Sequence, residues 1–286
     1  HQEAAVMSYY ALHALQHRGQ EAAGIVAANR DEQKAKMRFT EVKGEGLVLD
    51  VFSEPTVFTH TLQGKAAIAH NRYSTTGSNS LANVQPFRMN YRMGSLALAH
   101  NGNLTNTREI RTELQEEGAL FNTSTDSEVF LHLIARSKQA TQLLQIQQAL
   151  RVTKGAFSLV IMTDDALYAA RDPHGFRPLC IGRKKNEDGT YAYIITSETC
   201  ALDIISAEYV RDVKHNEIVI IDESTVKTGE IKSVSIDDTT PIARHCIFEY
   251  IYFSRPDSKI FGHPVDKVRR KLGKNNGKEK TVNQKN

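Results

Sequence analysis

Three short stretches of the chain carry residue types and spacings that could do chemistry. The first is Leu96-Ala97-Leu98-Ala99-His100-Asn101-Gly102-Asn103-Leu104, an apolar run that ends abruptly in a polar corner. At Asn101-Gly102 a side-chain amide and an unobstructed backbone N–H stand side by side, and two such donors can hold an oxygen that becomes negative during amide cleavage. The same dipeptide is also the common choice for a plain strand turn. The second stretch, His70-Asn71-Arg72-Tyr73-Ser74-Thr75-Thr76-Gly77, also follows an apolar run. Its Arg72 can fork onto a carboxylate, and the hydroxyls of Thr75 and Thr76 can hold an amide or an acid. A surface arginine beside a Ser/Thr loop would look the same. In the third, Asn122-Thr123-Ser124-Thr125-Asp126-Ser127-Glu128, the spacing Thr125-x-x-Glu128 predicts a capping box with Asp126 in the first helical turn. There the free N–H groups and the helix dipole favour the ionised carboxylate, which suits an ammonium ligand or simply stabilises its own helix end.

Each corner needs an element to hold it. Glu3 to Arg18 reads as a helix with a broad apolar face, and Gly19 stands where a left-handed cap belongs. Ala22 to Ala28 and Met37 to Lys43 read as two strands whose short connection makes them antiparallel. Lys65 to Asn71 is a covered strand, and Asn106 to Glu117 is a helix stopped by Gly118. Beyond Gly155 short strands follow at Ala156 to Met162, Ala166 to Arg171, Leu179 to Arg183, Tyr191 to Ser197 and Glu217 to Ile221. Asp172 to Pro178 is a rigid turn between two of them, and Asn186-Glu187-Asp188-Gly189 is a hairpin tip. Helices that come early and strands that return late predict an α+β fold with helices covering stacked antiparallel sheets, not an alternating βαβ chain.

Composition narrows the function classes. With 286 residues, 40% of them apolar, the chain can bury a substantial core. The net charge of +3 is concentrated at one end, since Lys259 to Asn286 holds nine Lys/Arg against two acidic residues, so the main body has no nucleic-acid-binding character. No apolar run approaches the ~18 residues that cross a bilayer, and the start lacks a basic-then-apolar leader, so the expectation is a soluble cytoplasmic protein with no membrane contact. Cys180, Cys200 and Cys246 form neither a disulfide framework nor a compact zinc site. Neither GxGxxG nor GxxxxGK[ST] occurs, so no nucleotide-phosphate loop is expected.

Five segments together resemble the amidophosphoribosyltransferases: Leu15 to Gly24, His70 to Gly77, Ala99 to Leu104, Thr123 to Glu128, and Phe248-Glu249-Tyr250-Ile251-Tyr252-Phe253-Ser254-Arg255-Pro256-Asp257-Ser258. The match is collinear from the first helix to about Gly273. It implies a class II glutamine amidotransferase domain of the N-terminal-nucleophile type, a four-layer αββα sandwich. In that family a chain-terminal Cys thiolate attacks the glutamine amide while its own α-amine, with a pKa of about 8, serves as base. Carried onto this chain, Asn101 and Gly102 form the oxyanion hole, Arg72 binds the α-carboxylate of glutamine and Asp126 its α-ammonium. Thr75 and Thr76 line the same pocket, and Arg18 and Gly19 support the nucleophile's end of the chain.

The resemblance also sets expectations at the two ends. The family places a strand of the kind Cys-Gly-Val-Phe-Gly ahead of His1, so the nucleophile is absent from the sequence as written, and its loss implies a fall in turnover on the order of 10⁶. Residues 1–245 correspond to the glutaminase domain, 246–272 to the start of a phosphoribosyltransferase domain, and 273–286 to a polar tail expected to be disordered. The whole family enzyme passes ammonia to phosphoribosyl pyrophosphate in the first committed step of purine synthesis. It uses Mg²⁺, forms homo-oligomers, and in one branch holds a [4Fe–4S] cluster to which a cysteine at the position of Cys246 contributes. No cofactor is expected in this chain alone. Two other readings stay open: the glutaminase domain of a different class II amidotransferase, against which the Phe248 to Ser258 junction speaks, and a nucleophile-free relative that binds glutamine through Arg72 and Asp126 as a sensor.

Overall fold

Runs of small and β-branched residues dominate the middle of the chain, and they become strands buried on both faces. The computed structural model describes residues 3–31, 36–73 and 80–279. In chain order, helix α1 (Ala4–Ala14) leads into strands β1 (Ala22–Asp31) and β2 (Lys36–Glu45), a short helix α2 (Val48–Val51) and strand β3 (Ala66–Arg72). Strands β4 (Phe87–Tyr91) and β5 (Gly94–Leu104) follow, then helices α3 (Thr107–Glu116), α4 (Glu128–Arg136) and α5 (Gln142–Val152). The second half holds β6 (Gly155–Thr163), β7 (Ala166–Arg171), β8 (Cys180–Lys185), β9 (Tyr191–Thr196), α6 (Cys200–Ile204), β10 (Glu208–Asp212), β11 (Glu217–Asp222), α7 (Glu223–Thr228) and β12 (Lys232–Ser235). Helix α8 (Val265–Glu279) ends the described chain, running on past Gly273, where the sequence reading begins its polar tail.

The strands form one six-stranded sheet, β12-β11-β7-β6-β5-β4, and two three-stranded sheets, β2-β1-β3 and β10-β8-β9, all paired antiparallel. Val26, Ala28, Phe39 and Ile68 of one small sheet pack on Ala97, Ala99 and Met162 of the large one. Ile181 of the other small sheet and Leu179 just ahead of it pack with Ala169, Val219 and Ile221 of the same large sheet. On its opposite face the large sheet carries α4 and α5, with Phe130, Ile134, Ile146 and Leu150 buried against Leu96, Leu98, Phe157 and Leu159. Helices α1 and α2 cover the outer face of the β2-β1-β3 sheet through Ala5, Leu12, Val48 and Phe52. These are the four layers, helix, sheet, sheet, helix, that the sequence leads one to expect.

Two local expectations turn out differently. Gly19 is extended (φ −172°) and is not a left-handed cap. Its missing side chain matters for another reason: a Cβ there would lie 2.6 Å from the backbone carbonyl of Arg72. The Thr125-x-x-Glu128 capping box does not form. Helix α4 starts only at Glu128, whose carboxylate accepts the N–H groups of Asn122 and Thr123 at 2.8 Å each, and this leaves Asp126 in the turn ahead of the helix.

Between β3 and β9, which are edge strands of the two small sheets, runs a slot of ≈ 1770 Å³. Its floor includes Ala99, Val160 and Met162 of the large sheet, and α1 contributes Met7 and Ala11 to its roof. His70, His100 and Asn101 are also among its lining residues.

Candidate active site

A second, smaller hollow of ≈ 90 Å³ is lined by Arg18, Arg72, Asn101, Gly102 and Asp126 among others. That is room for several water molecules, the scale of a small polar ligand. Of the residues singled out from sequence, these five converge here. Gly19 lies behind the wall, against the Arg72 backbone, and Thr75 and Thr76 fall outside the described residues. Cys246 is half-buried away from the hollow, its N–H donating to the Phe176 carbonyl at 3.1 Å.

The oxyanion corner follows from sheet geometry. Gly102 faces Phe157 across β5 and β6, but the N–H and C=O of Phe157 are both taken by Asp172, at 3.3 Å to its carboxylate and 2.9 Å from its amide. Since ladder bonds alternate sides along a strand, the Gly102 N–H points away from β6, toward the edge where β4 has already ended. A Cβ on Gly102 would come within 2.1 Å of the Ala156 carbonyl and 2.7 Å of the His100 ring, so only glycine allows this close packing. The Asn101 side chain beside it makes no hydrogen bond among the described residues and lines both the hollow and the slot.

The charged groups are held by their own partners. Arg72, buried at the end of β3, donates through Nη1 to the Asn83 carbonyl at 2.6 Å, and its Nε lies 3.9 Å from Glu21. Asn83 in turn exchanges hydrogen bonds with Ser124, Nδ2 to Oγ at 2.9 Å and Ser124 N–H to Oδ1 at 3.0 Å, so the arginine wall is tied to the loop that carries Asp126. Asp126 accepts the Leu104 N–H at 2.9 Å and the Ser127 hydroxyl at 3.2 Å, and its Oδ1 lies 3.7 Å from His100 Nδ1. Burial alone would raise its pKa. The interaction with His100 and the donated N–H and O–H outweigh that penalty and hold it below the ordinary carboxylate value, so an anion faces the hollow at neutral pH.

Arg18 closes the far side within a buried ionic cluster. Its Nη1 donates to Glu198 at 2.5 Å and to Glu249 at 2.9 Å, Nη2 donates to Glu249 at 3.0 Å, and Arg177 Nη1 reaches Glu249 at 2.8 Å. Burial opposes the charge on Arg18, but Glu249 and Glu198 together raise its pKa and fix it as a cation. Arg177 and Phe253 also line the hollow. Sequence reasoning passed over both, along with Gln85, His70 and Ser127. The Asp172-Pro173-His174-Gly175-Phe176-Arg177-Pro178 turn and the Phe248 to Ser258 junction each announced themselves as motifs, but no local signal shows that they meet.

Among the described residues no three His, Cys, Asp or Glu side chains stand close enough to hold a metal ion. A [4Fe–4S] cluster takes four thiolates, and the described residues hold three cysteines, Cys180 and Cys200 buried and Cys246 half-buried, so they do not by themselves fit such a cluster. No described helix is long and apolar enough to cross a membrane.

A four-layer antiparallel sandwich that turns two amide donors, a guanidinium and a carboxylate into one small hollow is an arrangement suited to the cleavage of an amino-acid amide. The glutamine amidotransferase domain model matches residues 70–203, and the chain is of that class. Within it, the chain belongs to the amidophosphoribosyltransferase family. It is 47% identical to amidophosphoribosyltransferase 3, chloroplastic, of Arabidopsis thaliana over 95% of its own length and 48% of the relative's. It is 44% identical to the Bacillus subtilis amidophosphoribosyltransferase over 99% of its length and 56% of the relative's. Among solved structures, the allosteric regulatory enzyme of purine biosynthesis superposes with a TM-score of 0.88 at 43% identity, covering 99% of this chain and 57% of that one. The B. subtilis glutamine phosphoribosylpyrophosphate amidotransferase complexed with ADP and GMP gives 0.87 at 42%, with the same coverage. The chain thus spans about half the length of the relatives it matches.

Proposed function

We propose that the chain is the glutamine-cleaving portion of an amidophosphoribosyltransferase, releasing ammonia for transfer to phosphoribosyl pyrophosphate at the start of purine synthesis. The observation that carries this is the meeting of Arg72, Asn101, Gly102 and Asp126 on one hollow. Glutamine bound there sets its α-carboxylate toward Arg72 and its α-ammonium toward Asp126, which leaves the side-chain amide to reach Asn101 and Gly102. Attack at the amide carbon puts negative charge on its oxygen, and donors already aimed at that point stabilise it without reorganisation. The described residues lining the hollow include no thiol. The slot between β3 and β9 shares His70, His100 and Asn101 with the hollow, so in this reading an extended strand of the Cys-Gly-Val-Phe-Gly kind lying in it brings a cysteine to the oxyanion donors. Transfer to phosphoribosyl pyrophosphate, Mg²⁺ use, any iron–sulfur cluster and self-association belong, in this reading, to the whole enzyme.

The test has two arms. Calorimetry of this 286-residue chain with glutamine is expected to show binding without ammonia release, and no heat at millimolar glutamine would remove the binding role. Joining a Cys-Gly-Val-Phe-Gly-type segment ahead of His1 is expected to give glutamine-dependent ammonia release. A folded protein of that kind that releases none would overturn the proposal.

A further inference from the structure

Gln85 sits just ahead of β4 and is buried in the wall of the hollow. Extending the β4–β5 register, in which Phe87 faces Leu98, by two residues puts Gln85 opposite His100. The ladder is not continued there by backbone. Instead the Gln85 side chain supplies both bonds: Oε1 accepts the His100 N–H at 2.7 Å, and Nε2 donates to the His100 carbonyl at 3.3 Å. A carboxamide carries the same acceptor and donor as a peptide unit, so it can stand in for one strand residue and then stop. Because it stops, the next N–H on that edge of β5, that of Gly102, stays open to the hollow.

The same Nε2 also donates to the Ser127 hydroxyl at 3.3 Å. The Ser127 hydroxyl donates its hydrogen bond to Asp126 at 3.2 Å, so its oxygen is free to accept from Gln85 and from His100 Nδ1, which lies 2.9 Å away. One amide therefore touches the strand that bears the oxyanion donors and, through Ser127, the carboxylate expected to take the substrate ammonium.

We infer that Gln85 is a positioning residue for amide cleavage, holding the His100–Gly102 segment at the spacing from Asp126 that lets one glutamine reach both. The inference rests on the glutaminase reading above. Asp126 keeps an independent anchor in the Leu104 N–H, whereas the N–H of His100 has only Gln85 on that edge, its carbonyl accepting from His70 Nε2 as well at 3.1 Å. The consequence of losing Gln85 thus falls mainly on the oxyanion donors, and so on kcat more than on KM.

The experiment uses the chain carrying the Cys-Gly-Val-Phe-Gly-type segment, with kcat expressed per active site counted by glutamine-protected thiol alkylation. Gln85→Met keeps length and volume but makes neither bond. It is expected to lower kcat about ten- to a hundredfold, within the roughly 10²–10³ that removal of a whole oxyanion donor costs, and to change KM by less than about threefold. Gln85→Glu keeps the acceptor for His100 and regains a donor only when protonated. Its kcat relative to the parent is expected to rise as pH falls toward a carboxyl pKa raised by burial, a pH dependence that a merely structural role would not produce. An active parent with unchanged kcat in Gln85→Met would overturn the inference alone. If Gln85→Met does not fold, a pH-independent ratio for Gln85→Glu would overturn it equally. A folded but inactive parent would overturn the glutaminase reading, and this inference with it.

Discussion

Asp126 is a surface-type residue kept charged in a buried place, and its partners show how. Neutralising it as Asp126→Asn leaves a carbonyl oxygen for the Leu104 N–H, so the fold should survive while the ammonium site loses its charge. A hydrogen bond to a charged group contributes roughly 1.5–3 kcal/mol, so glutamine affinity should fall about ten- to a hundredfold by calorimetry. Unaltered affinity would mean that the ammonium binds elsewhere. His70 makes a second residue-scale prediction. Its Nε2–H donates to the His100 carbonyl at 3.1 Å, and burial, with His100 nearby, lowers its pKa from 6.5 to about 4. Between those values the unfolded chain takes up a proton that the folded chain refuses, so stability is whole above pH 6.5 and drops as pH falls through the window. The slope is at most about 1.4 kcal/mol per pH unit, and less because His70 is only half-buried. His70→Gln should flatten that part of the thermal-midpoint profile, and parallel profiles would rule the effect out. Arg72, Asn101 and Gly102 were legible in the sequence because each is a distinctive residue at the end of an apolar run, and Asp126 because it sits in a polar stretch ahead of a helix. Gln85 and Ser127 were not, since two buried polar groups 42 residues apart satisfy one another without leaving any periodic trace.

Elements were legible where apolar alternation dictates them and less so where a single contact decides. Strands β1, β3, β5 and β6 are two-sided apolar runs, and the structure has them close to where alternation puts them. The short edge strands β4, β10 and β12 have too few buried positions for that signal. The start of α4 was misplaced because Glu128 found the amides of Asn122 and Thr123 in the preceding loop, a competition local spacing cannot foresee. Gly19 was correctly marked as special but for the wrong reason, since its need is closeness to β3 and not a left-handed φ. Gly19→Ala must therefore push the end of β3 outward. The expected cost is about 1–3 kcal/mol in unfolding free energy, with weakened glutamine binding because Arg72 moves with its strand. An alanine variant with the parent's denaturation midpoint and affinity would show that β3 yields without strain.

At the scale of the whole molecule, helices coming early and strands late pointed to helices covering stacked antiparallel sheets, and the family resemblance supplied the four-layer order, but the meeting of distant segments could not be read. Arg18 near the start of the chain and Glu249 near its end are 231 residues apart and joined by two hydrogen bonds, with Glu198 and Arg177 completing the cluster. Removing one partner of a buried ion pair costs roughly 3–5 kcal/mol, because the remaining charge is stranded in a medium that cannot solvate it. Arg18→Met should accordingly speed amide hydrogen exchange at Tyr250 and Ser254, whose N–H groups bond within the junction turn at Ile247 and Glu249. Unchanged exchange there would show that the two ends are independent. If they are coupled, neither terminal region can fray by itself: a protease that nicks the loosened junction will find the first helix already undone, and a stain for partial digestion will show whole chains or small fragments with little between.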